Sequence, residues 1–281
     1  MASYTRFVAL GDSQTEGLND LWPDGTPRGW ADRLAERLTV TTSPDLQYAN
    51  LAVRRCRARH ARDVQLPRAL ELRPDLASVA IGMNDLLRHD FDLASTLADI
   101  ETTIVALQDA GTHVVSMTSP DIAKMVPAMG WLAGRQRTFH ERLRALHERL
   151  DVPTLELAGL SMAAARDLWS HDRIHGSAEG HRRVADGMAH LLDLPGSDDR
   201  WADVAPSRLG PIGVVRGEIA WSLTFLGPWL AGQLRGRSAP AEAQALCKRP
   251  DLAPVTRPAA DVLPGEPRTA GYRPASGPDS R

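Results

Sequence analysis

Three short segments hold side chains that together could carry out acyl transfer. In Val8-Ala9-Leu10-Gly11-Asp12-Ser13-Gln14-Thr15-Glu16-Gly17 an apolar run stops at glycine and enters a polar turn closed by a second glycine. A serine delivered there can expose its hydroxyl at a sheet edge, with neighbouring main-chain N–H groups free to bind an oxyanion. The same residues would also serve as a plain helix cap or turn with Asp12 as local acceptor. Ala80-Ile81-Gly82-Met83-Asn84-Asp85 repeats the pattern. The Asn84 amide is a donor for negative charge developing on a carbonyl oxygen, typically ~3 kcal/mol of transition-state binding, and an Asx turn would use it locally instead. In Trp169-Ser170-His171-Asp172-Arg173-Ile174-His175-Gly176-Ser177, Asp172 and His175 stand three apart. Within one turn the carboxylate can hold Nδ1–H and leave Nε2 as a base toward serine.

The histidines leave another reading open, since His171, Asp172, His175 and His181 could gather on a metal. Their spacing matches no standard ligand pair, and no cysteine or acidic cluster completes the set. Cys56 has no assigned base and reads as incidental. Arg54, Arg55, Arg57, Arg59 and Arg62, with His60, form either a solvated helix start or a patch for an anionic substrate or carrier.

These segments need elements to position them. Short β-type runs occur at Arg6 to Leu10, Leu46 to Val53, Leu76 to Ile81, Val114 to Met117 and Thr154 to Leu157. Between them, apolar residues recur at helical spacing: Trp30, Leu34 and Leu38; Leu93, Leu97, Ile100, Ile104 and Leu107; Phe139, Leu143, Leu146 and Leu150; Val184, Met188 and Leu191, opened by Ser177. Strand and helix alternate about five times, which predicts a parallel sheet with helices on both faces and ligand sites at the carboxyl ends of the strands. Ser13 and Asn84 follow strands, and Asp172 and His175 precede the last helix.

Taken together, the blocks Gly11-Asp12-Ser13, Gly82-Met83-Asn84-Asp85 and Asp172-Arg173-Ile174-His175 resemble, in content and order, those of the GDSL esterases and lipases, also called SGNH hydrolases. The resemblance covers about Arg6 to Leu192. It implies a flavodoxin-like three-layer α/β/α sandwich around a five-stranded parallel sheet. It also implies carboxylic ester hydrolysis with Ser13, Asp172 and His175 as catalytic residues, an oxyanion hole from Ser13, Asn84 and residue 55, and no metal or organic cofactor. The chain has no G-x-S-x-G elbow, which disfavours the separate α/β-hydrolase fold. It departs from the family at one position. Asn50-Leu51-Ala52-Val53-Arg54-Arg55 places Arg55 where the family's oxyanion glycine belongs. An N–H survives that replacement, but a Cβ introduces strain if φ must be positive. A weakly active or non-catalytic binding protein on the same fold is the alternative.

With 281 residues, 43% of them hydrophobic, and a net charge of -2, the chain can bury a large core and presents no overall field for nucleic acid. Two distant cysteines and an N-terminus without a long apolar stretch fit a cytoplasmic protein acting on a small-molecule or lipid ester. The catalytic domain is expected over 1–195 and a C-terminal apolar helical extension over 196–234. Residues 212–234 are too interrupted by charge to span a membrane, so the helix is expected to pack on the domain, contact another subunit or lie at an interface. Residues 235–281 carry 8 of the 20 prolines and read as a disordered tail. Oligomeric state and natural substrate are not legible.

Overall fold

The computed structural model describes residues 3–204, 221 and 247–255. The expected alternation is realised. β1 (Arg6–Gly11) leads into a single turn, α1 (Ser13–Glu16), then α2 (Gly29–Thr41) and β2 (Gln47–Asn50). α3 (Ala58–His60) continues through a π turn into α4 (Leu66–Leu72), before β3 (Leu76–Ala80), α5 (Met83–Leu86) and α6 (Leu93–Asp109). β4 (His113–Met117), α7 (Ile122–Met125), α8 (Ala133–Arg149), β5 (Thr154–Leu155), α9 (Ala178–Leu191) and β6 (Arg249–Pro254) complete the order.

The sheet runs β5-β4-β3-β1-β2-β6, with β1 to β5 parallel. Side chains alternate across it because successive Cβ atoms of a strand point to opposite faces. Phe7 and Ala9 pack with Trp30, Leu34 and Leu38 of α2 and Met188 of α9. Val8 and Leu10 pack on the other face with Leu66 of α4, Ile104 of α6 and Leu143 of α8. The apolar stripes of the sequence are therefore the buried faces of the two helical layers. The chain leaves β1 toward β2 on one side and returns to β3 on the other, so a crevice opens at the carboxyl ends of β1 and β3, where strand order reverses.

One expectation needs correction. The sheet has six strands rather than five, and the sixth, β6, lies within the segment whose composition suggested a disordered tail. β6 pairs antiparallel with β2. Its prolines, Pro250 and Pro254, are tolerated because an edge strand leaves half of its N–H groups unpaired. Lys248 anchors it by donating to the carbonyls of Pro27 and Arg28 and to Asp32 Oδ2 at 2.5 Å. Composition could not reveal this, since ladder bonds and one half-buried lysine do the holding rather than an apolar face. The remainder of 235–281 and the helix expected over 212–234 lie outside the described residues, apart from Trp221, which is buried in the core. Among the described residues no helix is long and apolar enough to cross a membrane.

Two contacts set the geometry at the crevice. Gly82, just past β3, has φ +115°, and a Cβ there would stand 2.5 Å from Phe139 Cζ. His181 of α9 accepts from Trp30 N at 3.3 Å through Nδ1 and donates from Nε2 to Leu18 O at 3.2 Å, tying α9 to the loop before α2. Burial pushes its pKa down to about 4.

Gly82→Ala is expected to lower unfolding free energy by about 2–4 kcal/mol, from strain plus overpacking. Gly111→Ala, at φ +83° with open space around it, should lose only about 1 kcal/mol; urea unfolding of both separates clash from strain. His181 also predicts a pH effect. Its folded pKa lies below its unfolded one, so its contribution is full above about 6.5 and declines as pH falls toward about 4. Urea unfolding at pH 7.5 and pH 5 should show the stability advantage of wild type over His181→Gln shrinking by about 2 kcal/mol.

Candidate active site

Gly11 ends β1, and Asp12 then caps α1 by accepting from Gln14 N at 3.1 Å, leaving Ser13 as the first residue of the turn. Asp12 is thus the local acceptor that the plain reading of this segment expected. Gly17, at φ +91°, closes the turn with its N–H on Ser13 O at 3.1 Å. A second tie holds the turn to the far side of the crevice, where Gln14 Nε2 donates to Ile174 O at 2.6 Å.

Residues 168–177 fold back as a tight loop, with Ser170 N on His175 O at 2.9 Å and Ser177 N on Leu168 O at 2.9 Å. Ser177 also caps α9, the helix it was expected to open, accepting from Gly180 N at 3.2 Å. Inside the loop Asp172 Oδ1 accepts from Ser170 Oγ at 2.7 Å and from Ile174 N and His175 N at 3.0 Å each. Its other oxygen, Oδ2, meets His175 Nδ1 at 2.7 Å. Burial alone would raise the Asp172 pKa, but the bonds from His175 and the two main-chain N–H groups outweigh it and hold the carboxyl well below its usual range. An ionised Asp172 keeps the proton on Nδ1, so Nε2 is the accepting nitrogen. Nε2 lies 2.7 Å from Ser13 Oγ. Residues 162 apart in sequence thereby form one line of hydrogen bonds that can draw the proton from the serine hydroxyl.

The donor candidates sit beside this line. Asn84 donates both amide protons, to Asp12 Oδ2 and to Cys56 O, each at 3.0 Å. It joins the ends of β1 and β3 to the 53–56 turn, and presenting a proton to a substrate requires releasing one of these partners. Arg55 stands in that turn at φ +63°, in the left-handed region that glycine would occupy without strain. Neighbouring Arg54 is held through its main-chain N on Glu16 Oε2 at 2.9 Å and its guanidinium on Oε1 at 2.5 Å. Asp12 is pushed up to about 6 by burial and by the nearby charges of Asp85 and Glu16, against the bond from Gln14 N.

Other sequence candidates are placed elsewhere. Cys56 is buried, and burial with the charges of Asp12 and Asp85 pushes its thiol far up, so it holds its proton. His171 is exposed, while both His181 nitrogens are engaged as described. Arg54, Arg57, Arg59 and Arg62 each meet a carboxylate, on Glu16, Asp90, Asp63 and Asp99. That pairing fits a solvated helix start better than an anion-collecting patch.

Sequence reasoning missed Asn19. Its side chain donates to Asp172 Oδ2 at 2.7 Å and to Ser170 Oγ at 2.9 Å, bracing the carboxylate from the side opposite its own loop. The only signal was a Gly17-Leu18-Asn19-Asp20 turn, and Asn19 takes φ +69°, a region asparagine enters more readily than most residues. Nothing in a turn points to a partner 153 residues away.

The sequence profile of the GDSL-like lipase/acylhydrolase family matches residues 9–183, which include Ser13, Asn84, Asp172 and His175. Among curated proteins, none matches. Solved structures with the same fold include an acetylxylan esterase from Geobacillus stearothermophilus, with 16% identity, 72% of this chain and 97% of that one covered, and a TM-score of 0.55. An alpha/beta hydrolase from the metagenome of Lake Arreo, Spain, has 17% identity, 69% and 97% coverage and a TM-score of 0.57. A G-D-S-L family protein from Desulfitobacterium hafniense has 16% identity, 67% and 99% coverage and a TM-score of 0.55. The α/β/α architecture is that of these proteins, and with the family profile spanning more than half of its length, the chain belongs to the GDSL-like lipase/acylhydrolase family.

Proposed function

We propose that the protein is a serine esterase that cleaves carboxylic esters through an acyl-serine intermediate. The observation that carries this reading is the unbroken line Ser13 Oγ, His175 Nε2, His175 Nδ1, Asp172 Oδ2, with 2.7 Å at both hydrogen bonds. His175 takes the Ser13 proton as Oγ adds to the ester carbonyl, and Asp172 stabilises the resulting imidazolium. Collapse of the tetrahedral intermediate expels the alcohol, which receives the proton from His175 and leaves an acyl-serine. His175 next removes a proton from water as it attacks the acyl carbonyl, and returns it to Ser13 Oγ when the acid departs. The N–H groups of Ser13 and Arg55 and the Asn84 amide are the donors for the oxyanion in both steps.

The alternative of a non-catalytic protein on this fold rests on Arg55. Its φ of +63° argues against that alternative, because the position keeps the conformation a glycine would take and its N–H stays where a glycine would put it.

A fluorophosphonate probe is expected to label wild type at Ser13 and to leave Ser13→Ala unlabelled; a folded wild type that resists labelling overturns the proposal. His175→Ala should cut turnover of p-nitrophenyl acetate by on the order of 10³-fold or more with an unchanged circular dichroism spectrum.

Asn19 is assigned as a positioning residue acting through Asp172. A hydrogen bond to a charged acceptor contributes about 1.5–3 kcal/mol, so Asn19→Ala should lower kcat by roughly tenfold or more with little change in KM. Asn19→Asp, isosteric but anionic against Asp172, should lose more than Asn19→Ala. Equal kcat in all three proteins removes Asn19 from the mechanism.

A further inference from the structure

Gln65 is buried and takes no part in the proton transfers from Ser13, yet its carboxamide reaches two segments of the site. It closes the π turn Ala61–Gln65, in which Leu66 N bonds back to Ala61 O, and turns of this kind are frequent at functional sites. Its Oε1 accepts from Gly11 N and its Nε2 donates to Gly11 O, each at 2.9 Å. In a parallel ladder both main-chain groups of a residue face the same neighbouring strand, so a peptide group of β2 would ordinarily sit there. β2 stops pairing at Asn50, opposite Ala9, and the chain turns away through residues 53–56, from where Val53 N still reaches Gly11 O at 3.3 Å. A carboxamide carries the donor and acceptor of a peptide group. Gln65 supplies the rung that the departing strand leaves open.

Nε2 also donates to Cys56 Sγ at 3.3 Å, a thiol that its surroundings keep protonated. One side chain thus touches Gly11, two residues before Ser13, and Cys56, the residue after Arg55. Ser13 N and Arg55 N are the main-chain donors assigned to the oxyanion, and such donors work only where they stand about 2.7–3.1 Å from the oxygen as its charge develops. The turn that carries Arg55 also needs holding, because a residue with a Cβ at φ +63° persists only where its surroundings fix it. Glu16 fixes the turn at Arg54 N and Asn84 fixes it at Cys56 O. Gln65 ties it to the main chain of β1, the strand that delivers Ser13.

From this we infer that Gln65 is a positioning residue for the oxyanion hole: paired with Gly11 on one side and Cys56 on the other, it sets the spacing between the N–H groups of Ser13 and Arg55 and raises turnover without touching substrate. The inference rests on the esterase reading of Ser13 and adds to it how the two donors are kept in register.

The test uses the full chain and p-nitrophenyl acetate, with turnover counted per serine labelled to completion by a fluorophosphonate, so that unfolded protein drops out. Gln65→Met nearly keeps the volume and removes the amide. Loss of one whole oxyanion donor costs about 10²–10³-fold in kcat, so displacing two is expected to lower kcat per labelled site by about 10- to 100-fold while KM changes by less than about threefold. Gln65→Glu is the second variant, and it serves alone if Gln65→Met does not fold. A carboxyl can replace the amide only while protonated, with one oxygen accepting from Gly11 N and its O–H donating to Gly11 O; ionised, it sets a charge against that carbonyl. Burial and the charges of Asp12 and Asp85, which already act on the adjoining Cys56 thiol, favour the protonated form. The kcat of Gln65→Glu relative to wild type should therefore fall by about tenfold or more from pH 6 to pH 9, whereas the ratio for Gln65→Met stays level. Wild-type kcat per labelled serine in Gln65→Met overturns the positioning role, as does a loss confined to KM or a level ratio for Gln65→Glu. A folded wild type whose Ser13 resists labelling overturns instead the esterase reading beneath it.

Discussion

A buried carboxylate stays ionised only if hydrogen bonds replace the water it has lost, and Asp172 receives five, from Ser170 Oγ, Ile174 N, His175 N, His175 Nδ1 and Asn19 Nδ2. The rest of the site depends on that replacement. With Asp172 charged, His175 keeps its proton on Nδ1 and offers Nε2 to Ser13; with Asp172 neutral, the tautomer would no longer be imposed. Four of the five donors come from the loop that carries both residues, so the loop orients its own carboxylate as it folds. Asn19 brings the fifth from the other side of the crevice and couples the loop to the segment that follows Ser13.

The carboxyl end of β1 is the opposite electrostatic case. Asp12 and Asp85 are both pushed up to about 6, burial being the main cause for each. Each retains an N–H donor, Gln14 N for Asp12 and Ala58 N for Asp85 at 2.9 Å. Their work is structural, holding the serine turn and the start of α3. Asn84 bridges Asp12 and Cys56 O, so one amide fastens together the ends of two strands and the turn that contains Arg55. The positive-φ residues at this end, Gly82 at φ +115° and Arg55 at φ +63°, lie where the backbone must double back after a strand, and of the two only Arg55 carries a Cβ that stores strain there.

Much of this was legible beforehand, for a physical reason. Period-two and period-3.6 apolar patterns follow from strand and helix geometry, so β1, β3, β4, β5, α6 and α9 could be read within about two residues, while β2 ends three residues before the apolar run does and α8 begins six residues before its first apolar marker. A strand that ends in glycine before a polar turn announces a residue set at the rim of a parallel sheet, which is how Ser13 and Asn84 were found. β6 was not legible, because two prolines and mixed charge are indifferent to pairing until an edge is available, and its anchor, Lys248, finds Asp32 only in three dimensions.

By itself, then, the sequence determined which residues could do chemistry and on which kind of element each would stand, since both follow from side-chain type and local periodicity. Tertiary structure alone decided the distances: 2.7 Å between Ser13 and His175 across 162 residues, the bracing of Asp172 by Asn19, and the left-handed backbone that Arg55 accepts in place of glycine. It also decided the cavity under the 168–177 loop, whose walls come from at least seven separate segments. Contacts between residues distant in the chain are set by how layers pack against a twisted sheet, and no local pattern encodes a void.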